Sequence, residues 1–508
     1  MPRNILLITT DQQRYDSLGC TGGTVASTPN IDALARKGII YRQARNQCPV
    51  CMPARSTILT GQHVRMHGVT SNGIPLPADH PSVAHELKAA GYSTALIGKA
   101  HFEPHAAKSF FENLAAGEDS FGPHRGFDHM ELSGHTGRAG RSLFHYPKWL
   151  SETHPDAVEG FHEYTSGGNP SALGGGDSGA PQVAHNPVEI ENYHTHWTAQ
   201  RTVDWLSTCG DDEKWFCWMS FPDPHHPWDV PNEARQRFDW RDLDLPDGYP
   251  GSREKCEEIL AGKPWHWMAW YRGEAQLNFE VPPAYVPAET TADQIREING
   301  IVHAKNELID EAVGRVMAYL EERGWNEETE VFFTTDHGEL QGDYGMLFKG
   351  PYHVDALTKV PLIWRPAPAD EIASADISEP VGHLDIAPTI MAAAGLDVPA
   401  EMQGRPLPKR PGDASRERVY TEWIDTYDDN EIVMRSMVRD DYLITAYAKS
   451  NRYEGTEGEL YVLCDDPNQW QNLWDDAGHA SLKSDLLADL HDNLPEGRNK
   501  PLEKVAPV

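Results

Sequence analysis

The sequence predicts an α/β protein whose core is a mostly parallel sheet flanked by helices. The first observation is a set of short apolar runs without polar alternation, which is typical of central strands covered on both faces. The second is a helical pattern between several of these runs, which is how a doubly wound parallel sheet is built. The strand-like runs are residues 4–10, 93–99, 214–221, 330–336 and 360–365.

Three helical patterns separate these runs, and each one ends at a glycine, a residue that commonly terminates helices. The clearest covers residues 294–324, where apolar residues recur at helical spacing. Shorter patterns cover residues 29–38 and 82–91. These segments are expected to pack on the sheet.

The 508 residues are enough to bury a large core, and we expect two domains. A large α/β domain is predicted over residues 1–405 and a smaller α+β domain over residues 415–508. The second begins after a proline-rich stretch, where the pattern changes to short strands. Its predicted elements are strands over 433–440, 442–448 and 459–465 and a helix near 480–493, which form a small antiparallel sheet plus helix.

Two irregular segments, about 130–185 and 262–290, interrupt the large domain. Long insertions of this kind are usually active-site walls or subunit contacts. The second contains an aromatic cluster made of Trp265, Trp267, Trp270 and Tyr271. This cluster is interpreted as an aromatic wall, a cation-binding cage or a subunit contact. We expect the protein to be a homo-oligomer, either a dimer or a tetramer.

The charge balance disfavours two classes of partner. With 44 basic and 77 acidic residues the formal charge is −33, which disfavours nucleic acid and anionic membranes. The apolar run at the N-terminus is too short for a signal or membrane segment, so we expect a cytoplasmic protein. The seven cysteines are scattered and odd in number, which argues against a disulfide framework.

Polar residues gather where the predicted strands end. Ligands of open α/β sheets bind beyond the carboxyl ends of the strands, so these positions predict one shared site. The residues at the strand exits are Asp11, Gln12, Lys99, His101, His225, His226, Asp336 and His337, with Lys349 a short loop later. Two carboxylates, an amide and an imidazole suit one Ca²⁺, Mg²⁺ or Mn²⁺ ion better than zinc. Lys99, Lys349 and Arg55 would add a cationic pocket for a tetrahedral oxyanion.

Cys51 stands in the stretch "NQCPVCMPARSTILTGQH" at a predicted helix N-terminus, with proline in the first turn. Three roles compete for it: a redox pair with Cys48, a thiolate nucleophile, or the precursor of another group. The redox interpretation is weak because the surrounding chain does not have a thioredoxin-like pattern.

The string Cys51-x-Pro53-x-Arg55 followed by Thr60-Gly61 resembles the signature of type I sulfatases in the alkaline phosphatase superfamily. Further similar stretches follow in the same order, among them "LIGKAHF", "FPDPHHPWDVP" and "FFTTDHGELQGDYGMLFKG". The resemblance implies an alkaline-phosphatase-like fold. It also implies that a maturation enzyme oxidises the cysteine to formylglycine, whose hydrated aldehyde is the nucleophile.

The same resemblance implies roles for individual residues. The metal ligands would be Asp11, Gln12, Cys51, Asp336 and His337. The remaining site residues would be Arg55 beside the nucleophile, Lys99 and His101 at the sulfuryl group, His225 and Lys349 near the leaving oxygen, and Asn72 as an oxyanion contact. His226 and His353 are interpreted as structural or pocket-wall histidines.

Two departures bear on the substrate and the metal. Many arylsulfatases have Asp and Asn where this chain has Gln12 and His337, and these two residues resemble phosphonate monoester hydrolases and choline sulfatases. Lys99 and His101, in contrast, match the sulfatase pattern "GKxH". The prediction is an arylsulfatase-type sulfuric ester hydrolase with one Ca²⁺ or Mn²⁺. The alternatives are a phosphonate monoester hydrolase or phosphodiesterase using the same site, or a choline sulfatase.

The sequence disfavours two other classes of protein. The string "GDSGAP" at residues 176–181 resembles the nucleophile region of serine proteases, but the all-β pattern of those enzymes is missing and a flexible loop is favoured. A non-enzymatic binding protein on the same scaffold is disfavoured because every catalytic position is filled.

Overall fold

The computed structural model describes residues 3–105, 107, 109–134, 144–157, 175–184, 186–282 and 284–506. Within them, one large sheet has the strand order β5-β4-β6-β1-β7-β8-β2-β9. Its strands are β1 (Asn4–Asp11), β2 (Ile39–Tyr41), β4 (Ser93–Gly98), β5 (His129–Leu132), β6 (Trp215–Pro224), β7 (Thr329–Thr335), β8 (Leu362–Arg365) and β9 (Ala375–Ile377). A two-stranded ribbon joins β3 (Ala44–Arg45) to β10 (Val381–Gly382).

The centre of the large sheet is parallel, since β4, β6, β1 and β7 all run the same way. Among the described pairs of this sheet, only those that β8 forms with β7 and β2 are antiparallel. Every residue of β1 and β6 is buried, which explains why these strands are continuous apolar runs. The predicted fold class is confirmed.

Helices cover both faces of this sheet. The longest, Ala292–Glu322, starts with a capping box in which Thr291 and Gln294 satisfy each other's backbone N–H groups. It packs against β6 and against the helix His194–Thr208. The other helices of the described chain are Pro29–Lys37, Cys51–Thr60, Val64–His67, Val83–Ala89, Phe111–Leu114, His145–Thr153, Asn232–Arg235, Arg253–Leu260, Trp265–Tyr271, Asp355–Thr358, Ile386–Ala393 and Ala480–Asp492.

A four-stranded antiparallel sheet follows near the C-terminus, as predicted, with the helix Ala480–Asp492 packed on it. Its strands are β11 (Arg418–Tyr427), β12 (Asn430–Arg439), β13 (Tyr442–Tyr447) and β14 (Gly458–Val462). Strand β11 was not predicted, because its acidic residues Glu422 and Asp425 interrupt the apolar pattern. The division into domains at 405–415 stays a prediction.

The two insertions contain more regular structure than expected. The described part of 130–185 includes the helix His145–Thr153, and the rest of that segment lies partly outside the described residues. In the second insertion, Trp267, Trp270 and Tyr271 are buried in the core. These three residues therefore do not form the surface wall, cage or subunit contact that the sequence suggested. Trp265, the fourth member of the cluster, is 36% exposed and lies under the Arg452 guanidinium. Among the described residues, no helix is long and apolar enough to span a membrane.

Candidate active site

The residues predicted from the strand exits meet at one edge of the large sheet. Asp11 ends β1, and Lys99, His225 and Asp336 directly follow β4, β6 and β7. These four strands are neighbours in the order β4-β6-β1-β7, so their carboxyl ends lie side by side. Parallel strands thus bring together residues that are hundreds of positions apart in the chain.

Cys51 lies at the centre of this group. It is the first residue of the helix Cys51–Thr60, and its side chain is fully buried. Its Sγ lies 3.2 Å from Nε2 of His337 and 3.7 Å from Oδ1 of Asp11. Burial, together with the nearby Asp11 carboxylate, raises the pKa of the Cys51 thiol. Cys48 is also a free thiol, so the two cysteines do not form a disulfide.

A cluster with the character of a metal site surrounds Cys51. One donor atom each from Asp11, Cys51, Asp336 and His337 lies within 4.8 Å of all the others. Nδ1 of His337 donates to the carbonyl of Gly338 at 2.9 Å, so Nε2 carries the lone pair that faces the cluster. Two carboxylates and an oriented imidazole in a fully buried setting fit one divalent cation.

Gln12, the remaining predicted metal ligand, is held in a left-handed conformation at φ 65°. Its backbone N–H donates to Oδ1 of Asp336 at 3.0 Å. Its side-chain oxygen accepts from Lys349 at 3.0 Å, while its amide nitrogen donates to Glu339. The amide of Gln12 therefore has other partners in this structure.

Arg55 joins three parts of the site from within the helix that Cys51 begins. Its Nε donates to Oδ2 of Asp336 at 2.9 Å. One terminal nitrogen donates to the Lys99 carbonyl at 3.0 Å and to the Ser220 hydroxyl at 2.7 Å. The other terminal nitrogen is buried without a hydrogen-bond partner in the described structure, so its N–H groups are available to a ligand.

Lys99 and His101 follow strand β4, next to Asp11 at the end of β1. The Lys99 ammonium forms a salt bridge with Asp11 and is almost fully buried. His101 has φ 57° and stacks on His105 with ring centroids 4.0 Å apart. Burial, with smaller contributions from His105 and Lys99, lowers the pKa of His101 well below its usual value. A neutral imidazole is a proton acceptor.

His225 and Lys349 contact each other directly. Nζ of Lys349 lies 2.9 Å from Nε2 of His225, and Nδ1 of His225 bonds to the carbonyl of His226. Lys349 also forms a salt bridge with Glu280. Burial alone would lower the pKa of Lys349, but Glu280, Cys51 and Asp11 together outweigh it and the pKa is raised. Lys349 is therefore a cation in the site.

The loop that carries His225 is fixed from behind by Lys305, a buried residue of the helix Ala292–Glu322. Its ammonium donates to the carbonyls of His225 at 3.0 Å and Pro227 at 2.9 Å. It also pairs with Asp223 at 3.0 Å and Asp229 at 3.4 Å. One buried cation thus sets the backbone position of the histidine.

Asn72, the predicted oxyanion contact, lies beside the start of the helix that Cys51 begins. Its Oδ1 accepts from the backbone N–H of Met52 at 3.1 Å, and its Nδ2 donates to Glu280 at 3.2 Å. Asn72 thereby satisfies one free N–H at the helix start. Its amide bridges the Cys51 helix and Glu280.

Sequence reasoning missed three polar residues of the site. Glu280 contacts Lys349 and Asn72 and lies within 4.8 Å of Cys51 and His225, measured between donor atoms. Ser220 accepts from Arg55, and its place as a polar residue in an apolar strand was a usable signal. Glu339, whose pKa burial raises to about 7, accepts from Gln12.

The secondary candidates have other partners. His226 lies 3.1 Å from the Gln12 amide nitrogen and packs edge-on against Phe348, as a wall of the pocket. His353 bonds through Nδ1 to Ser436 of the C-terminal sheet at 2.6 Å. Ser178 in the protease-like string donates to the buried Glu297, so it anchors its loop on the long helix.

Comparisons with known proteins agree with this geometry. Residues 3–396 match the family model described as Sulfatase, and residues 342–496 match one described as N-sulphoglucosamine sulphohydrolase, C-terminal. The uncharacterized sulfatase YidJ of Escherichia coli is 29% identical, over 97% of this chain and 87% of its own length. An arylsulfatase of Clostridium perfringens is 28% identical, over 80% of this chain and 78% of its own length.

Among solved structures, the phosphonate monoester hydrolase of Agrobacterium radiobacter shares the fold. The TM-score is 0.75 at 23% identity, and the alignment covers 96% of this chain and 95% of that one. The family model covers most of the chain and includes every predicted site residue. The chain therefore belongs to the sulfatase family, as a type I sulfatase of the alkaline phosphatase superfamily, and is a hydrolase that acts on sulfate esters.

Proposed function

We propose that this protein is an arylsulfatase-type enzyme that cleaves sulfate monoesters with a formylglycine made from Cys51 and one divalent metal ion. The observation that carries the proposal is the position of Cys51. Its Sγ lies 3.2 Å from His337 and 3.7 Å from Asp11, inside the cluster and at a helix N-terminus. Arg55 and Pro53 complete the motif one turn into the same helix.

Asp11, Gln12, Asp336, His337 and the converted side chain of residue 51 would hold the metal. When bound, the ion supplies positive charge that favours a deprotonated hydroxyl on residue 51. The oxygen-rich ligand set suits Ca²⁺, and the imidazole of His337 also suits Mn²⁺.

The cations of the site would bind the sulfuryl group. Lys99 and Lys349 flank Cys51, and both are buried, so their charges act in a medium of low polarity. Asn72 and the partnerless nitrogen of Arg55 add N–H donors. Together they stabilise the negative charge that develops on the sulfuryl oxygens.

Proton transfers would complete the reaction. One hydroxyl of the hydrated aldehyde attacks sulfur, and His225 or Lys349 protonates the leaving oxygen. His101 then removes the proton of the second hydroxyl, the aldehyde C=O bond reforms, and sulfate departs with the C–O bonding pair. A water molecule adds back to the aldehyde and restores the hydrate.

A second candidate is phosphonate monoester or phosphodiester hydrolysis at the same site. Gln12 and His337 favour it, because many arylsulfatases have Asp and Asn at these positions. Choline sulfate is a further candidate substrate, because Gln12 and His337 also resemble the choline sulfatases. Lys99 and His101 favour sulfate esters, and Lys99 borders the cluster directly through its salt bridge with Asp11.

The proposal carries expectations about the cell. A formylglycine-generating enzyme must act on this chain. We expect both proteins to be present in the cytoplasm. We also expect a homo-oligomer, a dimer or a tetramer, and neither nucleic acid nor membrane as a partner.

The experiment that tests the proposal is a hydrolysis panel of an aryl sulfate, choline sulfate and a phenyl phosphonate, using protein produced together with the maturation enzyme. We expect the aryl sulfate to have the highest kcat/KM. Cys51→Ala should abolish turnover, whereas the matched control Cys48→Ala removes a buried thiol outside the cluster and should retain it. A higher kcat/KM for the phosphonate would replace the first candidate with the second.

A further inference from the structure

Glu280 places a negative charge beside the proposed anion site. One of its carboxylate oxygens lies within 4.8 Å of Sγ of Cys51 and 3.4 Å from Nε2 of His225. The side chain is 18% exposed, so water screens its charge only weakly. The proposed reaction brings an anionic group to residue 51, and the mechanism above gives Glu280 no part in it.

Glu280 also shares its partners with the proposed substrate. One carboxylate oxygen forms a salt bridge with Lys349, and the other accepts from Nδ2 of Asn72 at 3.2 Å. These are two of the groups proposed above to bind the substrate oxygens. A substrate oxygen that reaches either of them must approach the carboxylate as well. The repulsion between Glu280 and the substrate therefore grows with the negative charge of the substrate.

Hydrogen bonds of the backbone hold Glu280 in this position. Its N–H donates to Oδ1 of Asn278 at 2.8 Å, and its carbonyl accepts from Nε2 of Gln182 at 2.7 Å. Asn278 in turn donates to the carbonyl of Lys349 at 3.0 Å. Glu280 and Lys349 are thus joined through Asn278 as well as through their charges. The carboxylate is a fixed part of the site.

The carboxyl group of Glu280 is ionised in this setting. Burial alone would raise the pKa of Glu280, but Lys349, His225 and His226 together outweigh it and hold the pKa well below its usual value. Glu280 therefore carries a full negative charge at neutral pH.

This charge offsets a cation that the metal ligands do not offset. Each of the three buried cations that the structure describes around Cys51 has a carboxylate partner. The pairs are Arg55 with Asp336, Lys99 with Asp11, and Lys349 with Glu280. Asp11 and Asp336 belong to the proposed metal cluster, and Glu280 does not. A divalent ion would balance the two aspartates and leave Arg55 and Lys99 to attract the substrate, whereas Lys349 stays balanced by Glu280.

We infer that Glu280 is a specificity residue that makes the site favour singly charged esters over doubly charged phosphate monoesters. This inference rests on the proposed sulfate ester hydrolysis at residue 51. A sulfate monoester and a phosphodiester each carry one negative charge, whereas a phosphate monoester carries nearly two above about pH 7. All three have a tetrahedral centre, so charge is the property by which Glu280 distinguishes them.

The experiment measures kcat/KM of the matured, metal-loaded enzyme at about pH 8 for 4-nitrophenyl sulfate and 4-nitrophenyl phosphate, which share a leaving group. Glu280→Gln keeps the size of the side chain and removes its charge. The ratio of kcat/KM for the phosphate to that for the sulfate should rise by about ten-fold or more. Glu280→Asp retains the charge and should keep the wild-type ratio. The control Glu274→Gln changes an exposed glutamate earlier in the same segment and should also keep it.

Two outcomes overturn the inference while sulfate ester hydrolysis stands: a wild-type ratio in Glu280→Gln, or an equal rise in Glu280→Asp. Binding tests the same residue without turnover, because metal-loaded Cys51→Ala lacks the nucleophile. In that variant, adding Glu280→Gln should tighten the Kd of the phosphate ester relative to the sulfate ester, measured by isothermal titration calorimetry. If the enzyme hydrolyses no sulfate ester but this shift in Kd is found, the proposed function is wrong and the role of Glu280 stands. If the relative Kd does not shift, the role of Glu280 is wrong.

Discussion

Replacing Lys305 with methionine tests how the structure holds His225. The ammonium of Lys305 donates to two backbone carbonyls at 2.9 and 3.0 Å and pairs with two buried carboxylates, Asp223 and Asp229. Removing one partner of a buried ion pair costs about 3–5 kcal/mol, because a buried charge loses its compensation. We expect a loss of that size in the free energy of unfolding, measured by urea denaturation.

The same variant should change catalysis in a specific way. A displaced His225 protonates the leaving oxygen less well, so kcat/KM should fall most for aryl sulfates whose leaving groups are the poorest. The control is Lys214→Met, because Lys214 pairs with Glu328 at the surface and such pairs contribute about 0–1 kcal/mol. The reasoning is refuted if Lys305→Met loses no more unfolding free energy than Lys214→Met and its kcat/KM depends on the leaving group in the same way.

Three further predictions concern the metal, the chemical step and pH. Asp336→Asn should lower metal content and turnover together, measured by elemental analysis and kinetics; full activity after exhaustive chelation would contradict this. His101→Ala should trap a covalent sulfate adduct on residue 51, visible by mass spectrometry, and normal turnover without an adduct would exclude this role. Burial lowers the pKa of His266 from 6.5 to about 4, so only the unfolded state binds the proton between these values. Stability should therefore fall as the pH drops through that window, by up to about 3 kcal/mol. The unfolding free energy of His266→Gln should depend less steeply on pH in this window. An unchanged slope would contradict the role of His266.

The site residues that follow the strands could be predicted from the sequence for a physical reason. Asp11, Lys99, His225 and Asp336 follow apolar strands, and the carboxyl ends of neighbouring parallel strands lie together. The pattern therefore encoded both the fold and the meeting point of these residues. The motif at Cys51 added the nucleophile.

Other features depended on tertiary packing. Glu280 reaches the site from an irregular loop, where no periodicity or strand end marks it, and its partners Lys349 and Asn72 are distant in sequence. Trp267 and Trp270 form a helix that packs into the core, although their neighbourhood looked like an exposed loop. Amphipathic aromatic residues occur both in cores and at surfaces, so the composition of this segment did not distinguish a buried helix from an exposed loop.

In the proposed mechanism, residue 51 acts as an aldehyde and not as a thiol. Peptide mass spectrometry can measure the fraction of residue 51 that is formylglycine, in preparations made with and without the maturation enzyme. We predict that aryl sulfate turnover is proportional to this fraction and vanishes where Cys51 is unmodified. Full turnover by protein that carries only the Cys51 thiol would contradict the claim.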